Sequence, residues 1–404
     1  MERRQHNMKK GYKGYNSYQY LEKNKDYRAF KMAAELNRVD SYELKLTDNE
    51  KNIFKKIVNE NLVINLHEHP TVIPEDLDQL HEYEKQGREV TGFKALANSI
   101  IDVIFDNMMD GTCIIHSKSG WKFKDVIHDI GMRNCDIDHQ DFFIKGETVR
   151  DFYRAKKEEK IAWVKVLESA TMIENEVDRI DVLYGLGVRM MGITYSESNN
   201  LGSGLKEKKD GGLTVFGEKA VKRMNKIGMA IDISHCGNQT ALDVIECSNQ
   251  PVLITHIGAK SLWDIKRLKP DNVFKACVKK GGVIGIEAAP HTTVSQNHPY
   301  HNLDSYMEHF EYIKDLVGIE HLAFGPDTLF GDHVGLHDLF SSNMSIDEQT
   351  KNHKRVEYVK GLENPAEGME NILKWLIKHD YSNAEIKKVI GENIIRLLNQ
   401  VWFK

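Results

Sequence analysis

The stretch Gly228–Ala259, GMAIDISHCGNQTALDVIECSNQPVLITHIGA, constrains the fold more than any other part of the chain. Two short apolar runs, Met229–Ile233 and Pro251–Ile254, each end in a hydroxyl residue followed by histidine: Ser234-His235 and Thr255-His256. Between them Ala241, Val244, Ile245 and Ser248 recur at helical spacing. The pattern is strand, helix, strand, with a histidine at the carboxyl end of each strand. Parallel α/β enzymes place their chemistry at that edge. One strand-end histidine is more often structural than a ligand. Two at equivalent positions of successive units, on neighbouring strands, can aim at one metal ion.

The same unit recurs along the chain. After a helix from Thr47 into Val58, opened by an N-cap-type Thr-Asp-Asn cluster, Leu62–Leu66 reads as a first strand. His67 and His69 follow it, and alternate strand residues share a face, so the HxH pair presents two imidazoles to one point. A helix is expected within Glu89–Asp110, and Gly111–His116 reads as a second strand, with His116 a weaker site candidate. The polar segment His128–Gly146 reads as a loop insertion. Ile161–Leu167 is a third strand ending in Glu168, a carboxylate at the same edge as the histidines. Val188–Thr194 is the fourth, followed by Tyr195 and the polar loop SESNNLGSG. The fifth and sixth end at His235 and His256. Gly282–Glu287 is the seventh, His321–Phe324 the eighth, and Gly325-Pro326-Asp327 follows it. Leu303, Tyr306, Met307, Phe310, Ile313 and Val317 define a long amphipathic helix, and helices near 365–379 and 384–398 close the chain. Eight βα units with right-handed crossovers close into a (β/α)8 TIM-type barrel, an α/β fold with its metal site at the carboxyl ends of the strands. The expected division is residues 1–60 as an amino-terminal extension and helix, then 61–404 as a barrel with loop insertions and carboxyl-terminal helices. A helix near Asp26–Asn37 is expected within the extension. Its expected role is a peripheral arm or oligomer contact, compatible with a homodimer.

Composition narrows the partners. A net charge of −5 over 404 residues gives no general reason to bind nucleic acid or anionic membrane. The five cysteines, Cys113, Cys135, Cys236, Cys247 and Cys277, are scattered without a CxxC pair and read as reduced thiols. The basic, tyrosine-rich amino-terminal stretch has no apolar run, so it does not read as a signal peptide. No segment approaches the roughly 18 apolar residues of a membrane span. A soluble, cytoplasmic protein acting on a small molecule is expected.

The strand-end polar residues His67, His69, Glu168, His235, His256 and Asp327 are four imidazoles and two carboxylates. That is a ligand set for two divalent ions, with Glu168 the natural bridge. Two such cations lower the pKa of a bridging water enough to give hydroxide near neutral pH, while one polarises a carbonyl. Asp327 is the carboxylate suited to move the water's proton to a leaving group.

From about Val63 to Leu398 the chain resembles the membrane (renal) dipeptidase family, a branch of the amidohydrolase superfamily. The points of likeness are GLTVFG (Gly212–Gly217), Ile233–His235, Thr255-His256, GGVIGI (Gly281–Ile286), Gly325–Asp327 and GENIIRLL (Gly391–Leu398), in that order. The resemblance implies that His67 and His69 hold one zinc and His235 and His256 the other, with Glu168 bridging. It also implies that Arg267, in RLKPDNV, grips a substrate carboxylate, a task suited to a guanidinium fork. The implied activity is hydrolysis of the amide bond of a small carboxylate-bearing substrate, with dipeptides as the default.

Two departures bear on specificity. The family's first motif is usually histidine-x-aspartate, whereas His69 stands second here and makes the site less anionic. The family carries a substrate-binding histidine after the fourth strand, where this chain has Thr194-Tyr195-Ser196. Tyrosine donates a hydrogen bond to an oxyanion but carries no positive charge. Both leave open an N-acyl amino acid, cyclic amide or lactone as substrate. A metal-dependent decarboxylase or a non-catalytic binding barrel are the more distant readings.

Overall fold

The computed structural model describes residues 8–108, 122–343 and 354–402, with the side chains of 340–343 left aside. Eight parallel strands run in chain order around a nearly closed barrel: β1 Ile64–Glu68, β2 Val103–Asn107, β3 Ile161–Leu167, β4 Val188–Gly192, β5 Ala230–Asp232, β6 Leu253–Ile257, β7 Val283–Ile286 and β8 Leu322–Phe324. Each pairs with the next in parallel, and a short strand, Phe143–Lys145, pairs with β3 off this path. Backbone hydrogen bonds join β1 to the segment after β8: Asp327 N–H to His67 O (3.0 Å) and His69 N–H to Thr328 O (3.1 Å). The expected (β/α)8 architecture is the one observed.

Strand alternation sorts the apolar residues into two clusters. One draws from all eight strands, including Ile64, Phe105, Val164, Met190, Ala230, Leu253, Val283 and Ala323. Residues of the last helix, Asn393–Val401, pack into it through Ile394, Leu397, Leu398 and Val401. The other faces the surrounding helices. The helix Val215–Ile227 is typical of these. Thr214 caps it by accepting from Gly217 N–H, Ala220, Val221 and Met224 bury its inner face, and Gly228 ends it at φ 77°, a conformation glycine adopts without strain.

Three segments differ from the sequence reading. The second strand is Val103–Asn107, inside the stretch expected to be helical, and only Phe93–Ala97 is helix there. A continuous apolar run such as SIIDVIF carries no periodicity to separate strand from helix. Residues 111–116, and with them His116, lie outside the described residues. The expected loop at 128–146 is mostly the helix Phe123–Asp138. Its buried face includes Arg133 and Asp136, so the apolar stripe that marks a surface helix is interrupted by charge. Residues 26–37 form no helix. Ala33 N–H donates to Ile73 O (2.9 Å) and Met32 bridges Pro74, so this part of the arm lies extended against residues 73–74.

Among the described residues, no helix is long and apolar enough to cross a membrane. Cys135, Cys236, Cys247 and Cys277 are free thiols, as the sequence reading expected of them.

Candidate metal centre

The carboxyl ends of β1, β3, β5, β6 and β8 bring all six strand-end residues to one buried point. His67 lies within β1 and His69 just beyond it; Glu168 follows β3; His235 follows β5; His256 lies in β6; Asp327 follows β8. His235 Nε2 is 2.9 Å and His256 Nε2 3.2 Å from Glu168 Oε1, with His67 Nε2 at 3.6 Å. Asp327 Oδ1 is 3.1 Å from His69 Nε2 and 3.4 Å from His67 Nε2. Ligand atoms of His67, His69 and Glu168 lie within 4.8 Å of one another, as do those of Glu168, His235 and His256. Glu168 belongs to both sets.

Glycine lets these strand ends approach. A side chain at Gly192 would collide with the carbonyl of Glu168, and one at Gly285 with the carbonyl of Thr255. The rim that carries the ligands is packed backbone to backbone at both places.

For His67, His69 and His256, hydrogen bonds on the far side of the ring decide which nitrogen is bare. His69 Nδ1 is 3.0 Å from the carbonyl of Asn107, which can only accept, so Nδ1 carries the proton and Nε2 does not. Thr255 Oγ1 donates to Asp232 Oδ2 (2.7 Å) and so has lone pairs left for His256 Nδ1 (2.7 Å) and His67 Nδ1 (3.1 Å). Asp232 is itself held by the Ser234 hydroxyl (2.6 Å) and by the backbone N–H groups of Ser234 and Thr255 (both 3.0 Å). The Nε2 lone pairs of His67, His69 and His256 therefore face carboxylate oxygens. Acceptor faces acceptor, and a cation must lie between them.

A proton fits poorly in that place. Burial lowers the pKa of His67 and pushes those of His235 and His256 well below the usual imidazole value, so these rings are neutral. Neutral imidazoles beside ionised carboxylates are the protonation states that bind a divalent metal, and the donor set fits one.

Arg267 and Tyr195 also reach this rim. The buried Arg267 is ion-paired through Nη2 with Glu287, donates to His256 O (3.2 Å), and has no hydrogen bond at Nη1 among the described residues. Burial raises the pKa of Glu287 and the guanidinium of Arg267 lowers it. The Tyr195 ring stacks on His235, with centroids 4.2 Å apart and planes 18° from parallel. Sequence reading missed Asp232, Thr255 and Glu287. The signal for two of them was present: an acid inside the apolar run of β5 and another closing β7.

Residues 128–343, a little over half the chain, match the profile of the family described as membrane dipeptidase (peptidase family M19). This chain belongs to the membrane dipeptidase family. The matched span holds Glu168, Tyr195, His235, His256, Arg267 and Asp327, while His67 and His69 precede it. Dipeptidase 3 of Rattus norvegicus is 25% identical over 249 residues, 60% of this chain and 46% of the relative. Dipeptidase verJ of Clonostachys rogersoniana is 26% identical over 286 residues, 69% of this chain and 63% of the relative. The chain thus spans between about half and under two thirds of the length of these curated relatives. An amidohydrolase of Pseudomonas aeruginosa superposes with a TM-score of 0.70 at 24% identity, covering 86% of this chain and 99% of the other. That likeness is one of fold.

Proposed function

We propose that this membrane dipeptidase family member is a metal-dependent hydrolase of the amide bond in a small, carboxylate-bearing substrate, with dipeptides as the default. The observation that carries it is the convergence of bare imidazole nitrogens and ionised carboxylates on one buried point. His67 and His69 would hold one divalent ion, His235 and His256 a second, and Glu168, common to both ligand sets, would bridge them. Zinc suits this mixture of imidazole and carboxylate. When bound, such ions polarise a carbonyl and lower the pKa of water at neutral pH.

The chain's own groups do the rest. Asp327 meets the imidazoles through Oδ1, so Oδ2 is the oxygen that takes a proton and passes it to the leaving nitrogen. Arg267 offers Nη1 to the substrate carboxylate and is kept in place by Glu287. Tyr195 covers one face of His235.

Metal analysis of the purified chain, joined to a turnover screen of dipeptides and N-acyl amino acids, tests this reading. Up to two zinc-like ions per chain are expected, and chelation should abolish turnover. Glu168→Gln should lose occupancy at both positions. Full turnover in metal-free protein would overturn the proposal.

A further inference from the structure

Lys206 lies on the loop after β4 that is hydrogen-bonded to the backbone of His235, and the chemistry above does not use it. Its backbone is tied from three sides. Its own N–H donates to Ser196 O (2.9 Å), Leu205 N–H donates to His235 O (3.0 Å), and Lys266 Nζ donates to its carbonyl (3.2 Å). A β-bridge between Gly204 and Cys236 holds the same loop against the segment after β5. These ties fix Lys206 among the loop that carries Tyr195, the ligand His235 and the loop that carries Arg267.

The charges around it are unequal. The Lys206 ammonium acts electrostatically on His235 and on His337, a half-buried histidine of the helix His333–Asn343, and is itself opposed by Arg267. Arg267 has a buried acid, Glu287, against it. The acid that favours charge on Lys206 is Glu197, which is exposed, and Nζ makes no hydrogen bond among the described residues. Attraction to an exposed acid that is not in contact contributes little. Burial and the neighbouring guanidinium push Lys206 down to about 7. A half-buried cation beside a second cation, without a buried anion of its own, is stabilised when a ligand brings that anion.

We propose that Lys206 is a specificity-determining residue that pairs with a second carboxylate of the substrate while Arg267 takes the first. The preferred substrate is then the amide of a dicarboxylic amino acid: a dipeptide or N-acyl derivative of glutamate or aspartate. This rests on the reading of the centre as an amide hydrolase and names the substrate class of that site.

The test compares ligands that differ by one charge at nearly equal size. Metal-loaded full-length chain is assayed for kcat/KM on Ala-Glu against Ala-Gln, and separately for binding of free glutamate against glutamine by calorimetry. The acidic member should lead by about tenfold or more in both, the scale of one hydrogen bond to a charged group. Lys206→Met should bring that ratio to about one, and Lys206→Arg should restore most of it. If Lys206→Met is unstable by circular dichroism, Lys206→Gln takes its place. Equal treatment of the paired ligands by the wild type overturns the inference. So does a preference that survives loss of the ammonium, or a variant that weakens glutamate and glutamine alike, since one carboxylate would then be shared by Arg267 and Lys206. Turnover without charge preference leaves the hydrolase reading standing and removes this one. Absence of turnover on every amide, with a glutamate preference in binding that Lys206→Met abolishes, does the reverse.

Discussion

Asp327 sits at φ 58°, in the left-handed region that non-glycine residues seldom occupy. Such a conformation is kept when its surroundings over-determine it. Here the backbone N–H is bound to His67 O and the carboxylate meets two imidazoles. Asp327→Asn keeps the shape and removes the proton-carrying oxygen. Turnover should fall by roughly 100-fold or more, the loss expected for a positioned acid–base, with metal content unchanged. Near-normal turnover at full metal content would make Asp327 a structural residue. The convergence of the proposed ligands could be read from sequence because each is a polar residue at the end of an apolar run. Thr255 could not. A threonine before a histidine carries no mark of its own, and its role arises from three neighbours supplied by β1, β5 and β6. Arg267 could be singled out only by family resemblance, since its partner Glu287 is distant in sequence.

At the scale of elements, the strands with ordinary apolar patterning could be read and the segment at 122–146 could not. The helix Phe123–Asp138 buries Arg133, which pairs with Glu89 and lies 3.7 Å from Asp106, and Asp136, which serves the amino-terminal arm. Asp136 Oδ1 accepts from the Tyr15 hydroxyl (2.7 Å) and from Tyr18 N–H (2.8 Å). Charge on the inner face made this helix look like a solvent loop. One of those charges, Asp136, is among the contacts that hold the arm to the barrel. Asp136→Ala leaves two donors without their acceptor, at a cost on the order of 1–3 kcal/mol each. The arm should loosen while the barrel stays folded, so limited proteolysis should cut faster within residues 8–46. An unchanged cleavage rate would mean that other contacts fix the arm.

At the scale of the whole molecule, the backbone bonds that close the barrel are made by residues of the proposed metal centre. β1 and β8 share no strand ladder, and their junction is made by the residues that flank the ligands. Glu68, between His67 and His69, is fully buried there. Its carboxylate accepts from Thr328 N–H (2.6 Å), the Thr328 hydroxyl (3.0 Å), His69 N–H (3.2 Å) and Asn65 Nδ2 (2.7 Å). Burial pushes it up to about 7, and the hydrogen bonds from Asn65 and Thr328 act against that by favouring the charged form. Sequence alone hides this, because Glu68 reads as the outward residue between two ligands and its partner Thr328 lies 260 positions away. Glu68→Ala strands several buried donors, each costing on the order of 1–3 kcal/mol, and frees the backbone of both flanking histidines. Unfolding in denaturant should start earlier, and affinity for the ion at His67 and His69 should weaken in step. Glu68→Gln keeps a carbonyl acceptor for Thr328 and should recover part of both losses. A variant that unfolds earlier while binding metal as tightly as before would separate closure from assembly, and the seam would then be a matter of stability alone.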